Sequence, residues 1–290
     1  MNLAGCTKRL RPLLQKLKGK ASLCPWASIF SSIDPRSLSG YPPPIWIEEA
    51  EHAERYKKLR FNGTHEAWFP ASAEVTAEMW SEYLAVFWKH PANAHFYLAH
   101  GTPVHAGDVC LDCGSCEGFF AYQALEAGAA KVICIEPNPE MADCLTRTFA
   151  SQIALGRIVV RNVALGGLDG AAAFSANRLN PFGGAVEDSS STTATVRIET
   201  IATVCAQLEL DRVDFIKMDI EGAELQAVEG ALPILRRDHP RLAITTYHRS
   251  FHYAALHVLL RSAGYRQIKP TGTTARESTT FRPVMLHARW

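Results

Sequence analysis

The chain of 290 residues predicts an α/β fold with a mostly parallel sheet, on three observations. From residue 107 onward, short apolar runs alternate with helix-like stretches at the intervals of βαβ units. One such run, 109–113, breaks into a turn with glycines at 114 and 118 before a helix, and an acid, Glu136, closes the following run. The composition is that of an ordinary globular protein, 47% apolar and 20% charged, which can bury a sizeable core and rules out a disordered chain.

The elements follow in order. The first 33 residues hold six Lys or Arg and no acid, with Leu10, Leu13, Leu14 and Leu17 at helical spacing. A docked or solvated helix, contact with a membrane surface and an organelle transit peptide all fit this pattern. A secretory signal does not, because an uninterrupted apolar core is missing. Residues 31–44, rich in Ser, Pro and Gly, read as a linker, so 1–44 is set apart as a basic N-terminal segment with its linker. Residues 45–100 read as a helical cap. Glu48, Glu49, Glu51 and Glu54 lead into Arg55, Lys57 and Lys58, and Trp80, Tyr83, Leu84 and Phe87 recur at helical spacing as a buried face or a pocket wall.

The α/β domain spans 101–290. Its strands are expected at 108–113, 131–135, 157–163, 213–219 and 241–247, with helices at 119–127, 139–150, 200–210, 223–236 and 252–263. Residues 166–191 suggest a hairpin and a mobile loop, and 192–199 another extended run. The runs 265–269 and 282–288 would close the sheet as an antiparallel pair.

With 30 basic against 29 acidic residues, no net field draws in nucleic acid, and no basic patch with interleaved aromatics lies outside the first 33 residues. No apolar run is long enough to cross a bilayer. Eight cysteines in apolar runs fit a reducing cytoplasm better than a disulfide framework. Cys110, Cys113 and Cys116 have overlapping Cys-x-x-Cys spacings. Strand alternation sends the first two to opposite faces, so buried thiols are expected rather than zinc ligands.

Three motifs carry chemistry. The turn at Gly114 and Gly118 lets backbone approach a ligand, and Asp112 stands in its mouth. The triple-glycine spacing of a dinucleotide loop is absent, and a carboxylate so near would repel a pyrophosphate, so a ligand carrying a cation is favoured. Glu136, about twenty residues beyond the glycines, suits a ribose. Asp112 for an amino group and Glu136 for a ribose describe an amino-acid nucleoside, which S-adenosylmethionine satisfies. The third motif runs from Asp214 to Glu224, where Lys217, Asp219 and Glu221 share one side with period two. An ion pair of Lys217 with Glu221 or Glu224 would account for part of it.

These residues resemble the FkbM-type S-adenosylmethionine-dependent methyltransferases. Asp214-Phe-Ile-Lys-Met-Asp-Ile-Glu-Gly-Ala-Glu224 followed by Glu229-Gly-Ala231 is similar to that family's most diagnostic stretch. Asp112-Cys-Gly-Ser-Cys-Glu-Gly118 and Glu136-Pro137 are similar to its cofactor loop and ribose acid, Asn162-Val-Ala-Leu165 to its third-strand end, and 282–288 to a terminal strand of some members. The resemblance implies a class I methyltransferase (Rossmann-like) fold for 101–290: a seven-stranded, mostly parallel sheet with helices on both faces and an antiparallel last strand. It implies that Gly114, Ser115, Cys116 and Gly118 with Asp112 hold the methionine part. Glu136 would meet the ribose, Asn162 with Val163 the adenine edge, and Asp219 would close the site beside the sulfonium, with Pro137 and Glu221 as further cofactor-binding residues. The implied reaction is O-methylation of a small molecule, sugar or lipid. Ser115 and Cys116 stand where many members carry alanine and asparagine, and 201–204 lacks an acid that many carry there.

His248, just past the strand at 241–247, is the expected base, with an ordinary imidazole pKa near ~6.5 suited to neutral pH. Lys217 competes if burial lowers its pKa. Asp219, Glu221 and His248 could together bind Mg²⁺, but their convergence is not visible in the sequence, so no metal is expected. Two other classes remain: a catalytically silent S-adenosylmethionine-binding scaffold, and an NAD(P)-dependent oxidoreductase, which the glycine spacing disfavours.

Overall fold

The computed structural model describes residues 11–19, 21, 23–33, 44–75, 77–90, 93–99, 101–175, 185–186, 194–274 and 281–290. Helices α1 (residues 11–17) and α2 (Trp26–Ile33) pack a small cluster of Ala21, Cys24 and Ile29, with Leu13 and Phe281 against it. Residues 1–10 and most of the expected linker lie outside the described residues.

The helical reading of 45–70 is corrected. Strands β1 (Ile47–His52), β2 (Tyr56–Phe61) and β3 (His65–Pro70) form an antiparallel meander, and only α3 (Ala77–Phe87) is a helix there. Glu51–Arg55 and Glu54–Lys58 have the spacing of helical i,i+4 pairs, but the ion pairs formed run across strands: Lys58 to Glu51 at 2.8 Å, Arg60 to Glu48 at 2.8 Å and to Glu66 at 2.6 Å. Asn62 and Gly63 take left-handed φ of 50° and 70°, the turn that an Asn-Gly pair offers a hairpin.

Strands β4 (Val109–Cys113), β5 (Lys131–Ile135), β6 (Ile158–Arg161), β11 (Phe215–Met218), β12 (Arg241–Thr245), β13 (Gln267–Thr271) and β14 (Met285–Arg289) form one seven-stranded sheet in the order β13-β14-β12-β11-β4-β5-β6. Its pairs from β12 to β6 are parallel, and β14 runs antiparallel to both neighbours, the class I topology. The connecting helices are α4 (Phe119–Glu126), α5 (Pro139–Thr148), the short α6 (Ala150–Ala154), α7 (Ile201–Gln207), α8 (Glu224–Asp238) and α9 (His252–Ala263). A second sheet, β7 (Ala164–Leu165), β10 (Ala194–Glu199), β8 (Gly170–Ser175) and β9 (Ala185–Val186), contains the expected hairpin. Residues 176–184 and 187–193, which include most of the expected mobile loop, lie outside the described residues.

Two apolar clusters hold the main sheet. One has Leu111, Ile133, Ile216, Val228 and Leu256 among its members. The other joins the meander to the domain: Phe61 meets Phe119 edge-on at 4.9 Å, and Phe69, Tyr83 and Phe149 belong to the same cluster. Hydrogen bonds from Trp68 N to Thr148 Oγ1 (2.9 Å) and from Tyr122 Oη to Glu66 O (2.6 Å) fasten the seam. The exposed bases of the meander and the buried aromatic seam explain why it packs on α4 and α5 rather than standing apart. Among the described residues, no helix is long and apolar enough to cross a membrane.

Candidate active site

The carboxyl ends of β4, β5 and β11 open into an open-sided cleft enclosing about 1040 Å³, roofed by Glu82 and Val86 of α3. Gly114 begins its floor. At φ 77° its backbone passes so close to the end of β11 that a Cβ there would lie 1.9 Å from Asp219 O. Ser115 Oγ donates to Asp112 O at 2.7 Å, tightening the turn. Cys116 lines the cleft with φ 44°, and its N–H donates to Glu136 Oε2 at 3.0 Å. Asn138 N–H donates to the other oxygen of Glu136 at 2.9 Å, so this carboxylate is pinned between two loops on the cleft wall. Glu117 Oε1, also at the wall, is buried with no hydrogen-bond partner.

Most of the expected cofactor residues line the cleft: Gly114, Ser115, Cys116, Glu136, Pro137, Val163, Asp219 and Glu221, together with Lys217. Three stand behind it. Gly118 packs beneath, where a Cβ would lie 2.4 Å from Phe149. Asn162 Nδ2 donates to Glu136 O and Pro137 O at 2.9 and 3.0 Å, so its amide shapes the loop. Asp112 is fully buried, and its Oδ1 lies 3.0 Å from Lys217 Nζ. Its expected contact with an amino group gives way to this pair, set by the register that aligns Lys217 with Asp112 across β11 and β4.

Both base candidates depart from expectation. Burial works against charge on Lys217, but Asp112 and Asp219 outweigh it and push its pKa above the ordinary value, so the ammonium keeps its proton. Its partner is Asp112, not Glu221 or Glu224. Burial also opposes charge on His248, yet Glu221 and Glu224 raise it to about 10, so the free imidazole is protonated at neutral pH. His248 Nδ1 lies 2.7 Å from Glu224 Oε1. Burial opposes ionisation of Glu224, and the two histidines beside it, His248 and His252, overcome that and hold its pKa below the usual carboxylate range.

Tyr97, Glu82, Glu117 and Tyr247 were not singled out from the sequence, and all four line the cleft. Tyr97 Oη donates to Asp219 Oδ2 at 2.9 Å. Glu82 sits inside the aromatic stripe of α3, on a different helical face from Tyr83, and Glu117 stands between the two glycines of the turn. Burial pushes Glu117 and Glu136 up to about 7, and Glu82 to about 8 with help from Glu117 and Asp219. The convergence that the sequence does not show is present: one ligand atom each of Asp219, Glu221 and His248 all lie within 4.8 Å of one another. Among the described residues the cysteines are free, with Cys110 and Cys113 buried.

The fold and this cleft define a methyltransferase domain. The family model described as the methyltransferase FkbM domain matches residues 112–267, and the chain belongs to that family. Among solved structures, it is similar to an FkbM methyltransferase from Methylobacillus flagellatus, with 23% identity and a TM-score of 0.49, over 67% of this chain and 47% of that one. The chain thus spans about half the length of that protein. It is also similar to a precorrin-6y C5,15-methyltransferase from Geobacter metallireducens (10% identity, TM-score 0.40, 65% of this chain and 82% of that one). A third similarity is to Trm5b from Pyrococcus abyssi (12% identity, TM-score 0.44, 95% and 70%). No curated protein matches the chain significantly.

Proposed function

We propose that this chain transfers a methyl group from S-adenosylmethionine to a hydroxyl of a small molecule, sugar or lipid. The observation that carries the cofactor is the acidic cleft: Glu136 is pinned with lone pairs to spare for a ribose, Glu117 keeps an unused buried acceptor, and Asp219 and Glu221 add negative charge. Bound there, S-adenosylmethionine supplies an electrophilic methyl group on a cationic sulfur. The chain's own task is to hold the acceptor in line with that methyl and keep water out. Tyr97, Tyr247 and Val86 give the cleft an aromatic and apolar lining, and Asp219 offers an oxygen that can accept from a hydroxyl and aim its lone pair. The hydroxyl acceptor itself rests on the family resemblance.

The test is a thermal-shift titration with S-adenosylmethionine, S-adenosylhomocysteine and NAD⁺. A ligand at a hundredfold excess over Kd adds about 2.7 kcal/mol, a rise of several degrees, and is expected for the first two only. Because Glu82, Glu117 and Glu136 hold protons to about 7 or 8 in the folded state, and lose them near ~4.3 when unfolded, the free protein becomes less stable as pH rises through that window. S-adenosylmethionine carries a sulfonium charge that S-adenosylhomocysteine lacks, and it offsets the emerging negative charge. Its shift should therefore exceed that of S-adenosylhomocysteine by a margin that grows from pH 6 to 8.5. Glu136→Ala should weaken both by on the order of tenfold or more. A rise with NAD⁺ alone would reject the reading.

Contact with a membrane surface through the N-terminal segment is part of the proposal. Leu14, Leu17, Leu23, Trp26 and Phe30 are exposed beside Lys16 and Lys18, an apolar and basic combination suited to an anionic surface. Co-sedimentation with anionic but not neutral vesicles is expected, and Leu14→Glu with Leu17→Glu should abolish it. Equal recovery in the supernatant with both vesicles would discard this contact.

A further inference from the structure

We propose that Asp219, Glu221 and His248 form a divalent-cation site on the acceptor side of the cleft, an inference that rests on the methyltransferase reading and adds to it. Three elements bring the residues together. Asp219 follows β11, Glu221 lies in the turn leading to α8, and His248 follows β12. His248 Nε2 lies 3.5 Å from Asp219 Oδ1 and 3.4 Å from Glu221 Oε2. Those separations make poor hydrogen bonds, and Nε2 makes none although the ring is buried, only 7% exposed. They suit two ligands sharing one ion: atoms about 2.1 Å from a common metal, at 90 to 120°, are about 3.0 to 3.6 Å apart.

The surroundings are those of a ligand histidine. Nδ1 is engaged by Glu224 Oε1 at 2.7 Å, which fixes the ring and aims Nε2 at the two carboxylates, where an incoming cation would take the place of the Nε2 proton. Glu224 is itself held, accepting from Ile220 N–H at 3.1 Å, with its other oxygen 3.1 Å from His252 Nδ1. Asp219 is oriented by Thr245 Oγ1 at 3.1 Å and by Tyr97 Oη at 2.9 Å. Lys217, two residues before Asp219, is turned to Asp112 and donates to Gly114 O at 2.5 Å.

Two carboxylates and one imidazole, with the remaining positions open to the cleft, suit a hard or borderline ion such as Mg²⁺ or Mn²⁺, and the imidazole favours Mn²⁺. An acceptor hydroxyl entering the open coordination would lose its proton to solvent more readily. Its oxygen then forms the new C–O bond as the C–S bond breaks, and that electron pair stays on sulfur as the neutral thioether. The cation thus supplies the activation that a locked imidazole does not.

The experiment is a Mn²⁺ titration of the full chain, followed by the loss of the free-ion paramagnetic resonance signal. One bound Mn²⁺ per chain is expected, competed by Mg²⁺, and weakened at least about tenfold in Glu221→Gln and in His248→Asn. Glu221 is partly exposed, so its variant keeps the fold even where the buried histidine variant does not. No binding by protein that still shows the S-adenosylhomocysteine shift overturns the cation site and leaves the cofactor reading standing. Binding undiminished in both variants also overturns it. Binding that needs both residues, in protein with no S-adenosylhomocysteine shift, keeps the site and rejects the cofactor instead.

Discussion

Gly114→Ala is expected to unfold the loop or abolish cofactor binding altogether. The new Cβ would stand 1.9 Å from Asp219 O and 3.1 Å from Ile220 Cγ2, so backbone, not a side chain, has to give way. The left-handed φ of 77° adds ~1 to 2 kcal/mol for any L side chain, and overpacking adds ~1 to 3 kcal/mol. A loss of about 3 kcal/mol or more in denaturant unfolding should therefore accompany a missing S-adenosylhomocysteine shift. Gly107→Ala is the control: φ is 85°, but nothing lies within 4 Å of its Cβ, so only the conformational part is lost. Near-native stability and normal binding in Gly114→Ala would show that β4 and β11 do not approach as described.

Lys217→Met is expected to cost ~3 to 5 kcal/mol, because it strands the wholly buried Asp112 carboxylate without its cation. Gly114 O would lose its donor in the same stroke. Burial already raises the Asp112 pKa, and without Lys217 it rises further. The folded variant then binds a proton that the unfolded chain has released, so its deficit grows as pH rises above the ordinary aspartate range and shrinks toward pH 5. Adding Asp112→Asn should recover part of the loss by removing the lone charge. Chemical denaturation of the single and double variants at pH 5 and 8 measures both points, and a pH-independent deficit would argue against a buried, ionised pair.

The strand ends were readable because period-two alternation and a glycine turn are local signals. Asp112, Glu136 and Asp219 duly stand at the carboxyl ends of β4, β5 and β11 or one residue beyond. What each carboxylate touches depends on register, which is not local. Lys217 lies beside Asp112 only because β11 pairs with β4 in that alignment, and sequence spacing pointed instead to Glu221 or Glu224. The meander resists sequence reading for the opposite reason: Glu51 with Arg55 and Glu54 with Lys58 satisfy a helical spacing rule, while Glu51 and Lys58 pair with each other across strands, and the Asn62-Gly63 turn is the signal to weigh against a helix. Tyr97 and Glu82 reach the cleft from outside the α/β alternation, where no pattern flags them.

The aromatic seam between the meander and the domain also bears on how such a protein can diversify. The roof over the cleft is carried by α3, and α3 belongs to the same cluster as Phe61, Phe69, Phe119 and Phe149. Roof and floor are therefore one inheritance. Glu82 or Val86 can be exchanged at the inner surface of α3, but replacing the whole roof would tear open the core beneath the Gly114 turn. The lining is free to drift residue by residue, and the mounting is not.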